Sequence, residues 1–342
     1  MPPKLSFRKG GAIRRYSLKP VLKMHGGDFY LHQLSPFLWE ISEGVGIRWY
    51  GLSYVLAFLG GQRIYQGLSE RRLNPIAPHA VQDFITWAAV FGVLLGGRLG
   101  YMLLYDFSRL LEHPASALRV WEGGMASHGG ILGLVLYTFY YSRRHGISWT
   151  GIGDSLVVSA PLGLFLVRLA NFINGELYGR ASTVPWAVQF PSELRDRPEL
   201  LEGTPLAFAP VESILDLWRK GGESGQLYEP VLRRVLTPRH PSQIYEGLLE
   251  GVLLFVILWF MRTRMGVPRG VLTGAFFLFY GVFRIVGEQF REPEDFNFGM
   301  PRGVFLSLFL LLIGAAFLIW GLRNAEFEEG ILLKSSSKGL PR

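Results

Sequence analysis

Seven apolar stretches punctuate this chain, each approaching the length that a lipid bilayer demands. They are Trp49–Gln66, Phe84–Tyr105, His128–Tyr141, Ile152–Phe172, Tyr245–Met261, Val271–Glu288 and Val304–Gly321. A hydrocarbon core needs about 20 apolar residues in a helix, allowing for tilt and interfacial ends. Lipid offers the backbone no hydrogen-bond partner, so such runs fold as helices. The expected fold class is an all-α polytopic membrane protein with about seven transmembrane helices. The third stretch is the shortest. Composition agrees. Of 342 residues, 49% are hydrophobic and 18% charged, and the mean hydropathy is +0.24, too apolar for a soluble chain of this length. Trp and Tyr gather near several stretch ends, as interface belts do.

The connections set an orientation. Arg63, Arg71 and Arg72 follow the first stretch, Arg143 and Arg144 the third, and Arg262, Arg264 and Arg269 the fifth. Short basic loops stay in the cytoplasm. The expected topology puts the N-terminus outside and the C-terminus inside. The basic segment at residues 1–23 opposes this, and a true start at Met24 removes the conflict. Its RRYSLK run has no apolar region behind it, so it is not a twin-arginine signal. The expected units are an N-terminal and interfacial segment at 1–43, helices one to four at 44–180, an extracytoplasmic head at 181–241, helices five to seven at 242–324 and a cytoplasmic tail at 325–342. The head is too long for a connector, and Leu200–Trp218 has room for a short helix. No internal repeat of the kind transporters carry is visible.

The net charge of +8 fits cytoplasmic loops and lipid contacts, and no nucleic-acid partner is expected. The chain has no cysteine, which excludes structural disulfides, iron–sulfur clusters, cysteine zinc sites and an enzyme thiol nucleophile.

Against that apolar background a few polar motifs stand out. RLANFINGELYGR, Arg168–Arg180, begins inside the fourth stretch and holds two Arg, two Asn and a Glu. A charge at that depth costs about 2.5–3.5 kcal/mol on insertion scales and is usually functional; the plainer reading is that Arg168 snorkels to the interface. GGMASHGG, Gly123–Gly130, sets His128 in a glycine-rich turn. An imidazole with its ordinary pKa near ~6.5 serves as a base at neutral pH, although a lone histidine is as often structural. YGVFRIVGEQFREPE, Tyr280–Glu294, places Tyr280, Arg284, Glu288 and Arg291 on one helical face. Glu288 can pair with one Arg, leaving surplus positive charge that invites an anion; the alternative is an ion-pair stripe that packs the bundle. RHPSQIYEG, Arg239–Gly247, reads most simply as a helix start capped by Ser242. GGRLGY, Gly96–Tyr101, buries Arg98 in the second stretch, and IRWYGL, Ile47–Leu52, opens the first with Tyr50, the position of an interface anchor. Arginines gathered at outward ends suit the fork-like binding of phosphate at headgroup level, hence a phospholipid.

Taken together and in their order along the chain, from Ile47–Leu52 through Gly96–Tyr101, Gly123–Gly130, Arg168–Arg180 and Arg239–Glu246 to Tyr280–Arg291, the six motifs resemble the prolipoprotein diacylglyceryl transferase family of bacterial inner membranes. The resemblance spans about Met24 to Gly321. It implies transfer of the diacylglyceryl group of phosphatidylglycerol to the lipobox cysteine thiol of a prolipoprotein signal peptide, forming a thioether and releasing glycerol 1-phosphate. It implies no cofactor and no metal. Carried over by position, His128 is the family's essential histidine, and Arg168 and Arg284 are the arginines implicated in binding the lipid phosphate. Asn171, Gly179, Tyr50 and Tyr280 match further positions important for activity, and Glu288 and Arg291 complete the last motif. Arg98 is assigned to substrate binding with them. The chain departs from the family pattern at Val167, usually Gly, and at Val304, often Gln after the Gly matched by Gly303. Neither change removes a charged or acid–base group, so they bear on lipid preference and rate.

The absence of cysteine then fits, because the nucleophile belongs to the substrate. A thiol near pKa ~8.5 meeting a base near ~6.5 costs about 2.7 kcal/mol, small beside an alkylation barrier. His128 is the candidate base and Tyr280 its possible assistant, with Arg168 and Arg284 stabilising the leaving phosphate. Two rivals remain at this point: a transporter or flippase for an anionic lipid, which predicts polar residues through the full depth, and a lipid-binding or assembly protein, which has no need of His128.

Overall fold

The computed structural model describes residues 29–42, 45–119, 123–292 and 296–337. The basic segment at 1–23 and the Met24 start lie outside the described residues. All seven apolar stretches are helical. In chain order the main helices are α1 (Trp49–Glu70), α2 (Pro78–Tyr105), α3 (Ser127–His145), α4 (Trp149–Asn174), α5 (Val211–Lys220), α6 (Gly222–Val235), α7 (Ser242–Met265), α8 (Val271–Glu288), α9 (Arg302–Asn324) and α10 (Glu329–Ser337). Five of them, α2, α4, α7, α8 and α9, are long and apolar enough to cross a membrane. The helices carry outward rows of exposed apolar side chains, among them Val55, Leu132, Val256 and Leu312.

Glycine controls how closely these helices approach, as expected where no hydrophobic drive separates helix from lipid. Gly92, Gly96 and Gly100 of α2 face Leu134, Gly133 and Gly129 of α3. A methyl on Gly96 would lie 2.7 Å from the Gly129 carbonyl oxygen, and one on Gly100 2.5 Å from Gly129 Cα. In the α8–α9 pair, a methyl on Gly274 would lie 2.8 Å from the Gly314 carbonyl oxygen. α1 runs antiparallel to α4, with Gly60 beside Leu162 and Gly61 beside Ser159. Leu68, Val158, Leu254, Leu258 and Leu272 fill the space between α1, α4, α7 and α8.

Three differences from the sequence expectation stand out. First, the fold is not all helix. β1 (Tyr30–Leu31), β4 (Val188–Gln189) and β5 (Pro238–Arg239) form a small sheet, and β2 (Phe37–Ser42) pairs antiparallel with β3 (Val45–Arg48). Second, the segment after α4 has its own apolar core, Leu194, Leu201, Leu206, Ile214, Trp218, Leu232 and Leu236, and Leu31 belongs to it. A boundary at residue 43 therefore separates residues that the fold joins. Third, Arg262 is not a loop charge. It is fully buried and meets Asp154 of α4 at 3.3 Å, while Asp154 also accepts from the Gly270 and Thr273 amides.

Candidate active site

At the end of the bundle beside that second core, three arginines and three glutamates converge. Arg168 of α4 reaches Glu246 at 3.0 Å and Glu250 at 3.3 Å. Arg284 of α8 reaches Glu246 at 2.9 Å, Glu288 at 3.3 Å and Glu250 at 3.6 Å, and Arg291 reaches Glu246 at 3.7 Å. All three carboxylates are buried, Glu250 completely. The local sequence explains the convergence. In α7 the run Glu246–Gly247–Leu248–Leu249–Glu250–Gly251 passes into a π-helical turn over Gly247–Leu253. Four residues apart, Glu246 and Glu250 fall on the same face of the helix. The two glycines let α4 lie against this face, since a methyl on Gly251 would sit 2.6 Å from Phe165 Cβ and one on Gly247 3.3 Å from Arg168 Cβ. Gly287 gives Glu246 room from α8, and Gly303 does the same for Glu288, whose Oε2 would lie 2.6 Å from an added methyl. Each buried carboxylate thus faces a glycine on the neighbouring helix or beside it on its own.

Next to this cluster lies a cavity of about 590 Å³ lined by His128 and Ile131 of α3, by Tyr280, Arg284, Glu288 and Arg291, and by Arg302, Gly303, Leu306, Ser307, Phe309 and Leu310 at the start of α9. Its wall combines the polar groups of His128, Tyr280, Arg284, Glu288, Arg291, Arg302 and Ser307 with apolar side chains. His128 sits in the first turn of α3, exposed to this space. Such a chamber fits an amphiphile: a charged head among guanidinium groups, apolar chains along the α9 leucines, and an imidazole on the same wall.

The family model for prolipoprotein diacylglyceryl transferase matches residues 36–320. The chain belongs to the prolipoprotein diacylglyceryl transferase family. It is similar to the phosphatidylglycerol–prolipoprotein diacylglyceryl transferase of Rhodospirillum centenum, 40% identical over 288 residues, covering 82% of this chain and 88% of that one. The same-named protein of Neisseria gonorrhoeae is 38% identical over 305 residues, 86% and 98% of the two chains. That of Coxiella burnetii is 37% identical over 304 residues, 87% and 99%.

In this diacylglyceryl transferase family member the residues singled out from sequence separate into groups. His128, Tyr280, Arg284, Glu288 and Arg291 share the chamber. Arg168 is not among its lining residues and is joined to it through Glu246 and Glu250. Asn171 is buried and donates to Glu176 at 2.7 Å, closing the end of α4. Gly179 is clamped, its amide donating to His240, with a Cβ there meeting the Phe290 carbonyl oxygen at 2.4 Å. Tyr50 packs on Tyr54, ring centroids 5.3 Å apart, outside the chamber lining. Arg98 is buried and donates to the carbonyl oxygens of Ser116, Gly123 and Gly124.

Two sequence arguments need correction. Ser242 does not cap α7. Pro241 holds that position without a side-chain cap, and the Ser242 hydroxyl donates to Leu177 O at 3.1 Å. Nor do Arg168, Arg284 and Arg291 form a surplus of positive charge, because Glu246 and Glu250 join Glu288 and balance them. Those two glutamates were missed. The signal was present: an acidic residue inside the fifth apolar stretch, Glu250, deserved the same intramembrane-charge argument as Arg168.

Proposed function

We propose that the chain performs the reaction of its family in this chamber. It moves the diacylglyceryl group of phosphatidylglycerol to the lipobox cysteine thiol of a prolipoprotein. The observation that carries this reading is the shared cavity, which has one imidazole, one phenol and three guanidinium groups around a space of lipid headgroup size. His128 takes the thiol proton. The sulfur attacks the glyceryl carbon, and the carbon–oxygen bond to phosphate breaks with its electron pair going to the phosphate oxygen. Glycerol 1-phosphate departs. Charge grows on that phosphate in the transition state, where Arg284 stabilises it directly. Arg168 holds Glu246 and Glu250 in register from the other side, with Arg291 on Glu246. Tyr280 assists at the chamber wall. The transporter and flippase alternative gives way to the family assignment, and a merely lipid-binding protein leaves His128 without a task.

Seven crossings of a bacterial inner membrane accompany this reading, with the N-terminus outside and the C-terminus cytoplasmic. The antiparallel packing of successive helices supports it: the starts of α3, α7 and α9 and the ends of α4 and α8 gather at the chamber. The chamber then lies at the outer leaflet, where both substrates reside. The experiment is incubation of the purified chain with phosphatidylglycerol and a lipobox peptide, followed by mass measurement. A peptide gaining one diacylglyceryl group is expected, and no gain in the His128→Gln variant. Full turnover by His128→Gln would remove the base.

A further inference from the structure

We infer that Arg98 is a positioning residue for His128, holding the turn from which that imidazole is presented rather than binding lipid. The inference rests on the proposed role of His128. Arg98 stands inside α2 and is 1% exposed. A guanidinium placed so deep must use its donors, and Arg98 donates to three main-chain carbonyl groups. Nε and Nη2 both donate to Ser116 O, at 3.2 and 2.8 Å, and Nη1 donates to Gly123 O and, at 3.4 Å, to Gly124 O. One planar fork therefore ties together two points of the connection between α2 and α3. Arg98 does not line the chamber that His128, Arg284 and Glu288 share.

What the fork holds is a turn that its two glycines would otherwise leave free. Gly123 and Gly124 have φ of +79° and +71°, a region that side chains avoid and glycine enters readily. Gly124 lies on the Tyr101 ring, where a methyl would come within 2.5 Å. The Ala126 amide donates to Gly97 O at 2.9 Å. Ala126 also stands at the N-cap of α3, just before the helix, and it offers no side-chain cap. Two residues later comes His128, and Gly129 is locked against Gly96 and Gly100. The position of the imidazole is thus inherited from the turn before it, and the turn is pinned by Arg98. A reacting group displaced by about 1 Å can lose about 100-fold in rate. Lysine keeps the charge, but a single ammonium cannot span the Ser116 and Gly123 carbonyl groups as the fork does.

The test uses the full-length chain in lipid nanodiscs, comparing wild type with Arg98→Lys and Gly124→Ala. Steady-state transfer from phosphatidylglycerol to a lipobox peptide gives kcat and KM. Because the chain has no cysteine, a single Met125→Cys carries one nitroxide label that reports the mobility of the turn without any turnover. Both variants are expected to lower kcat by about 10- to 100-fold, to leave KM for phosphatidylglycerol within about twofold, and to sharpen the label spectrum towards fast motion. If Arg98→Lys does not survive purification, Gly124→Ala carries the same two readouts. A rise in KM at constant kcat would assign Arg98 to the lipid and overturn the inference, as would an unchanged label spectrum. A wild-type chain without transfer activity would count against the proposed reaction alone, with the label still deciding whether Arg98 holds the turn.

Discussion

Glu250 shows most clearly how this site is built from single residues. It is fully buried, one turn after Glu246 where the apolar run of α7 begins, and its carboxylate meets Arg168 and Arg284. Removing one member of a buried ion pair leaves the other charge uncompensated, at a cost of about 3–5 kcal/mol. Glu250→Gln is therefore expected to lower the unfolding temperature in detergent and to abolish most transfer activity, measured by peptide mass. The double variant Arg168→Met with Glu250→Leu should regain much of the lost stability, since apolar replacements of a buried pair are tolerated, yet remain inactive. Activity in that double variant would mean that the pair only packs the bundle. His128, Arg168, Arg284 and Glu288 were legible in the sequence because each is polar where its surroundings are not. Glu246 and Glu250 were equally anomalous, but a motif read as a helix start hid the first and no motif covered the second. The role proposed for Arg98 had no signal in the sequence, because the bonds that carry it go to backbone carbonyl groups, and carbonyl groups have no letter there.

At the level of elements, every apolar stretch is helical with ends only a few residues away, and five of those helices are long and apolar enough to cross a membrane. What length could not give is which faces meet, and here glycine decides. On α7, Gly251 faces Phe165 so closely that an added methyl would be 2.9 Å from its Cα and 3.0 Å from its amide nitrogen. Backbone cannot yield as a side-chain tip can. Gly251→Ala is expected to cost about 1–3 kcal/mol by overpacking and to lower activity by moving Arg168 off the carboxylates. Gly67→Ala on α1, with nothing within 4 Å of its added methyl, should be neutral or stabilise by about 0.5–1 kcal/mol. Equal effects in a thermal unfolding comparison would refute the packing argument. The small sheet was illegible for another reason: two-residue strands carry no periodicity, and β1 finds β4 across more than half of the first two hundred residues. Its position is fixed by His32, whose Nε2–H donates to Phe172 O at 2.8 Å between the Phe172 and Phe190 rings. Burial pushes the His32 imidazole down to about 4. The folded form thus resists a proton that the unfolded chain accepts near pH ~6.5. Its contribution to stability is complete above that value, is lost as the pH falls towards 4, and levels off below, on the order of 3 kcal/mol in all. Melting temperatures between pH 7 and 4 should fall for the wild type, and His32→Gln should flatten that part of the slope.

On the scale of the whole molecule, the polar groups divide between two ends, and this division ties the fold to the reaction. At one end stand the chamber, the carboxylate–guanidinium cluster and the second apolar core. At the other, Arg269 meets Glu328 at 2.9 Å, Arg72 meets Glu329 at 2.9 Å, and the Gly330 amide donates to Arg72 O, so the start of α10 closes against the loop after α1. The buried Asp154–Arg262 pair lies at this same end, at the start of α4 and the finish of α7. A transfer reaction between two membrane-borne substrates needs its charges at one leaflet only, whereas a transport pathway needs them at every depth. Between the two ends, leucine and valine of α1, α4, α7 and α8 pack together, and the buried Ser155 and Ser159 hydroxyls donate back to carbonyl groups of α4 itself. The orientation follows as a prediction. Because the chain lacks cysteine, single cysteines can be read one at a time with a membrane-impermeant maleimide. Phe208, fully exposed on the second core, should label in intact spheroplasts as Phe208→Cys. Arg144→Cys, in the last turn of α3 at the opposite end, should label only after permeabilisation. The reverse pattern would put the chamber in the cytoplasmic leaflet, out of reach of an exported thiol, and the reaction proposed for it would have to be abandoned even with the arginines and the histidine where they are.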